Sequence, residues 1–132
     1  MDLFSLNTPE EPDEESVNNS LEVLLTFVKA MNDKQVKSVE NALEQVDFEL
    51  WREATRGLHA MSSELGLSSH WEATVVKVAE ARKDFMWDAR WDACYDHAVA
   101  LTFKAYVGEK FPHRWYELLT APLMGAGLRF NS

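Results

Sequence analysis

Between Gly66 and Gly108 the chain contains neither glycine nor proline, and this narrows the fold more than any other feature. A helical pattern that enters the segment has no local breaker to stop it. Ser69 with Glu72 three residues later has the form of a capping box, which predicts a helix opening at His70. Carried to Gly108, that helix is a rod of roughly 55 to 60 Å at about 1.5 Å per residue. Alternating strand patterns are absent from the chain, so the expected fold is all-α.

A second rod precedes it. Val36, Val39, Leu43, Val46, Leu50, Ala54, Leu58, Met61 and Leu65 recur every three or four residues up to Gly66, which predicts about 30 continuous helical residues. Asp47 and Gly57 are its weak points, and Asp47 offers an alternative as the N-cap of a separate helix starting at Phe48. Joined through Gly66-Leu67-Ser68-Ser69, the two rods form a long antiparallel hairpin, a helical bundle once short N- and C-terminal helices pack on it. The first short helix starts at Ser20 and carries the stripe Leu21, Leu24, Leu25, Val28 and Met31, with Asn32 and Asp33 ending it. The last starts near Pro112, buries Phe111, Trp115, Leu118 and Leu119, and stops at Ala121-Pro122.

With 22 acidic and 13 basic residues the formal charge is −9. Much of it sits in residues 1–16, where Asp2, Glu10, Glu11, Asp13, Glu14 and Glu15 meet no base and two prolines. Such a composition cannot offset the entropy of ordering. Without those six acids, 16 remain against 13 bases, a charge of −3. The expected organisation is a disordered acidic arm over 1–16, a single helical domain over 17–124 and a flexible tail over 125–132. At this length one domain buries roughly 68% of the surface its unfolded chain exposes.

The most unusual stretch is a period of four: Trp87-Asp88-Ala89-Arg90, Trp91-Asp92-Ala93-Cys94, Tyr95-Asp96-His97-Ala98. It writes an aromatic ladder (Trp87, Trp91, Tyr95, Phe103) beside an acidic one (Glu80, Asp84, Asp88, Asp92, Asp96). Like charges four apart on a helix repel by a few tenths of a kcal/mol per pair, on the order of 0.2–0.5. No Lys or Arg stands three or four residues from any of these aspartates within the run from Asp88. In the hairpin, Arg52 lies level with Asp84, Arg56 with Glu80 and Lys37 with Asp96, whereas Asp88 and Asp92 face only Asp47, Glu44 and Leu43. Relief for these two must then come from another molecule. Asp84, Trp87, Asp88, Trp91, Asp92 and Asp96 are therefore the candidate partner-binding residues. Each step of four drifts by about 40° against a 3.6-residue helix, so both ladders wind around it. With Val75, Val76, Val78, Ala98, Val99, Leu101, Tyr106 and Val107 the rod is apolar on most sides. The short first and last helices cover part of that surface and an isologous homodimer would cover some of the rest; the alternative is a monomeric four- or five-helix bundle with a solvated acidic stripe.

The tetrads, with Ala100 to Tyr106 and the closing Trp115-Tyr116-Glu117-Leu118-Leu119-Thr120-Ala121-Pro122, resemble uncharacterised bacterial and phage proteins with Trp/Arg-Asp-Ala helical tetrads. The resemblance covers about the last 45 residues; it implies a helix and a phage or mobile-element origin, and no activity. Leu3-Phe4 resembles the Leu-Phe end of bacterial sliding-clamp peptides, without their Gln.

Chemical machinery is not indicated. Cys94 and His97 are three apart and Asp92 and Asp96 four apart, but no two-cysteine zinc pattern, His-Glu-x-x-His helix or EF-hand loop accompanies them. Cys94 reads as a small core residue, and His59, His70 and His113 as capping or solvent-facing groups. The five glycines form no phosphate loop. No catalytic residue, metal or cofactor is expected. The acidic balance argues against direct nucleic-acid binding and against anionic membranes, and no apolar run reaches roughly 18 residues. The start MDLFSLNTPEEPDEE lacks the basic and apolar regions of a secretory leader, so the expected location is cytoplasmic. A lone Cys94 permits no internal disulfide.

Five tryptophans exceed what a core of this size needs, and Trp is a preferred interface anchor. The sequence thus points to a small non-catalytic protein that acts by protein–protein contact, an adaptor or inhibitor of phage or mobile-element origin. The alternative is a DNA mimic whose Asp ladder, spaced about 6 Å per step, occupies a nucleic-acid-binding groove.

Overall fold

The computed structural model describes residues 14–127, and these form six α-helices with one 3-10 turn and no strand. They are α1 Glu14–Ala30, α2 Asp33–Glu44, α3 Phe48–Leu65, α4 Ser68–Arg82, α5 Ala89–Val107 and α6 His113–Gly125, with the 3-10 turn at Gly108–Lys110. The fold is all-α, a helical bundle. The acidic arm and the Leu3-Phe4 motif up to residue 13 lie outside the described residues, as does the tail from 128. Glu14 to Ser16, expected in the arm, already belong to α1, and Gly125 is the last residue of α6.

Both expected rods are broken, and in each case an aspartate starts the new helix. Asp47 adopts an extended backbone and its Oδ1 accepts the Leu50 N–H at 3.1 Å, so α2 and α3 are separate. This is the Asp47 alternative, and the continuous 34–65 helix is not formed. The second rod breaks at Lys83–Asp88 without any glycine or proline. Asp88 is extended (φ −144°, ψ −176°) and its Oδ1 accepts the Arg90 N–H at 3.0 Å, the geometry of an N-cap. A side-chain cap of this kind competes with helix continuation as effectively as a breaker residue.

Other ends follow local chemistry. Asn32 and Gln35 form a reciprocal capping box at α2, with 2.9 and 3.0 Å bonds. Gly66 ends α3 in the left-handed region (φ 70°), as a C-capping glycine does. The expected capping box at Ser69 is absent: α4 begins at Ser68 with no side-chain cap. Leu67 is drawn into the core and its carbonyl accepts the Trp71 N–H at 3.0 Å, which starts the helix before Ser69. Pro122 does not stop α6. It is fully buried between Leu119 and Leu123 on the helix's core face, and that packing carries the helix through the missing backbone bond.

Because the rods are broken, the long hairpin is not the organising unit. α5 is the centre, packed by α1, α2, α4 and α6, while α3 meets α4 and α6 only lightly. One end of the core gathers the α1 stripe Leu21, Leu24, Leu25, Val28 and Met31 with Val39, Val78, Trp91 and Leu123. The other gathers Leu58, Leu67, Phe103, Phe111 and Leu119, edged by half-buried Trp51, Trp71 and Trp115. Small residues on α5 (Ala93, Cys94, Ala98, Ala100) are all buried and let neighbouring helices approach closely.

Gly57 in the middle of α3 has a packing reason: a Cβ there would overlap the Trp115 indole of α6. Gly57→Ala should therefore destabilise the fold in urea denaturation by about 1–2 kcal/mol, the overlap outweighing a helix-propensity gain of about 1 kcal/mol. In a Trp115→Phe background the same change should be neutral or stabilising. Equal effects in both backgrounds would remove the indole as the cause.

Candidate functional site

The connector between α4 and α5 presents consecutive apolar side chains to solvent. Met86 is 88% exposed and Trp87 47%, and Phe85 is exposed as well. Phe85 leans on the buried Trp91 with ring centroids 5.9 Å apart. Trp87 is held from two sides. The Arg82 guanidinium lies over its ring at 4.2 Å, and on the other side the Trp87 side chain is a polar neighbour of the Asp92 carboxylate on the first turn of α5, lowering its pKa. Arg82 closes α4 and Asp92 opens α5, so the helix ends themselves fix the indole.

The acidic ladder does not exist as a row. Glu80 is on α4, Asp84 is exposed in the connector, and Asp88 is the half-buried N-cap of α5. Asp92 is exposed at its carboxylate turn, whereas Asp96 is largely withdrawn from water. Of the six residues singled out from the sequence, the fold places Asp84, Trp87 and Asp88 in the connector and Asp92 beside it on the first turn of α5. Trp91 is fully buried in the core and is not available to a partner, and Asp96, on the next turn of α5, is only partly exposed.

The partners expected from the hairpin are also replaced. Asp88 finds its cation two residues away: Arg90 Nε lies 3.1 and 3.0 Å from the two carboxylate oxygens and Nη2 lies 3.0 Å from Oδ2. A helical Asp88 could not reach Arg90, but an N-cap can, because its backbone is extended. Among the described residues no ion pair joins Arg52 to Asp84, Arg56 to Glu80 or Lys37 to Asp96; Arg52 instead lies over the Phe48 ring at 4.8 Å. Phe85, Met86, Arg82 and Arg90 were not singled out by the sequence. The available signal was Asp88, an N-cap residue type two positions before Arg90, directly after an apolar run out of phase with α4.

Among the described residues, the titratable groups with shifted pKa values all lie on α5. Burial pushes the Cys94 thiol up to about 12, with Asp96 adding to the shift, so it carries no thiolate at neutral pH. Burial, then the neighbouring Asp92, raises the Asp96 carboxyl to about 8. Burial lowers the His97 imidazole to about 4, partly opposed by a hydrogen bond with the Thr120 backbone. Asp92 is raised by desolvation, and the Trp87 side chain works against that. Among the described residues no three His, Cys, Asp or Glu side chains converge as a metal site, and no helix is long and apolar enough to cross a membrane. No protein-family model, curated protein or solved structure matches the chain.

Asp96 and His97 give opposite pH dependences. Asp96 titrates near 8 when folded and near 4 when unfolded. The unfolded chain thus holds fewer protons between those limits, and stability falls as pH rises through them. His97 titrates at about 4 when folded and about 6.5 when unfolded, so its contribution rises with pH across that window. The slopes cancel from about 4 to 6.5 and leave a decline from about 6.5 to 8. Asp96→Asn should abolish that decline and uncover the rise below it, measured as urea-unfolding free energy in a pH series. A decline above pH 6.5 that survives the substitution would assign it to another group.

Proposed function

We propose that this is a non-catalytic helical protein that works by contact with a protein partner, as an adaptor or inhibitor, through the α4–α5 connector. The observation that carries this reading is the fixing of Trp87. A large aromatic side chain is left half in water yet held by Arg82 and Asp92, beside an almost fully exposed Met86. An anchor already immobilised in the free protein loses little rotamer freedom on binding, and Trp is the residue type most enriched at interface hot spots. Methionine adapts to an irregular apolar pocket.

The rim gives the partner's character. Asp84 and Asp92 flank the apolar tip, and Lys83 is the one exposed cation among residues 83–88. A partner with an apolar pocket edged by Lys or Arg fits this arrangement, its charges setting the encounter rate and the apolar contact the lifetime. Cys94 and His97 are buried and held in their neutral forms, which favours contact over nucleophilic or acid–base chemistry. The tetrad resemblance adds a phage or mobile-element origin to the proposal. A nucleic-acid mimic needs a continuous carboxylate row, and the break at Lys83–Asp88 leaves these carboxylates in separate environments.

The immobilised protein should retain a stoichiometric partner from an extract of its own organism at both about 50 and 500 mM NaCl, because an apolar anchor is little screened. Met86→Ser/Trp87→Ser should lose it while near-UV circular dichroism of the core is kept. Retention by this variant, or loss of the wild-type complex at the higher salt, would overturn the connector as the anchor.

A further inference from the structure

We infer that the outer face of α4 is a self-association surface, on which a second copy of this chain docks antiparallel about a two-fold axis level with residues 77 and 78. It is a different surface from the connector tip and does not rest on the reading of that site. α4 divides into two faces. Trp71, Thr74, Val78 and Ala81 turn toward α5 and the core, whereas Glu72, Val75, Val76, Ala79, Glu80 and Lys83 are exposed. An outward face is normally polar. Here its middle is apolar, with Val75 41% and Val76 55% exposed and Ala79 beside them.

The spacing is that of a helix seam. Glu72, Val76, Ala79 and Lys83 follow steps of four, three and four, the alternation that keeps a stripe facing a partner helix. Lys83 retains right-handed helical angles (φ −56°, ψ −26°), so its side chain continues the stripe one residue past Arg82. In an antiparallel pair related by a two-fold axis, each position meets its mirror across the centre. Val76 then meets Ala79 of the second copy, a large residue against a small one, which lets the helices approach closely. Glu72 meets Lys83 of the second copy, and the symmetry makes that ion pair twice. Neither residue has an ion-pair partner within its own chain among the described residues. A parallel pairing would set Glu72 against Glu72 and Lys83 against Lys83, so the charges select the antiparallel arrangement.

Charge reversal tests the pairing directly, since both residues are exposed and their substitution leaves the core untouched. By sedimentation equilibrium between about 5 and 200 μM, the wild type should be a reversible dimer. Glu72→Lys and Lys83→Glu should each weaken the dimer at least about tenfold, through two like-charge contacts. Mixed in equal amounts, these two variants should associate as well as the wild type, because every contact in the mixed dimer is again Lys against Glu. The double variant should also dimerise. A wild type that stays monomeric across this range, a dimer indifferent to either reversal, or a mixture no tighter than its components would each overturn the proposal.

Discussion

The position of Trp91 fixes the rest of the molecule. Its indole is fully buried, and its Nε1 has no hydrogen-bond partner. Leaving that N–H unsatisfied costs about 1–3 kcal/mol. Burying roughly 200 Å² of aromatic surface returns about 5 kcal/mol at 25 cal/mol per Å², so packing wins. In an unbroken helix Trp87 would stand only about 40° round the axis from Trp91 and would need burial as well. The break at Lys83–Asp88 separates the two. Trp91 enters the core on α5, and Trp87 is carried outside on a connector where Arg82 and Asp92 hold it.

The same break explains why the aspartates tolerate a spacing that opposes helix formation. Asp88 leaves the helix and becomes its cap, which removes the repulsion with Asp84 and turns its charge toward the amide of Arg90 and the guanidinium. Asp92 gains Trp87 as a polar neighbour in the first turn, where the helix dipole favours an anion. Only Asp96 is carried deep enough to prefer its neutral form. Its sequence neighbour His97 does not relieve it, because consecutive helical residues point about 100° apart and His97 turns toward Thr120 of α6.

Periodicity made the helices and much of the core legible. The stripe Leu21, Leu24, Leu25, Val28 and Met31 is buried as its spacing requires, whereas the aromatic ladder is divided, with Trp91 in the core and Trp87 outside it. What periodicity could not supply was where a rod ends when no glycine or proline marks the place. Asp47 and Asp88 act through side-chain caps, each available only once the backbone has already turned, and a phase that survives on both sides of the turn hides it. The hairpin and its level charge pairs were built on continuous rods, so they failed with them. The connector residues Phe85 and Met86 were invisible for the same reason: inside a rod they are two more apolar positions, and only at a break do they become surface.

A helix that stops early also changes what its outer face can do. Had α4 and α5 been one rod, the stripe Glu72, Val76, Ala79 and Lys83 would have run on into Met86 with Trp87 beside it, and a second copy would have had to cover both. Ending α4 at Arg82 leaves a face about 16 Å long, bounded by the opposite charges of Glu72 and Lys83. Short, close-packed and electrostatically self-complementary surfaces suit reversible association, because the small buried area keeps the pair weak while the charges keep it specific. The aromatic tip Phe85, Met86 and Trp87 is then left outside that seam, and Lys83 alone belongs to both the seam and the connector.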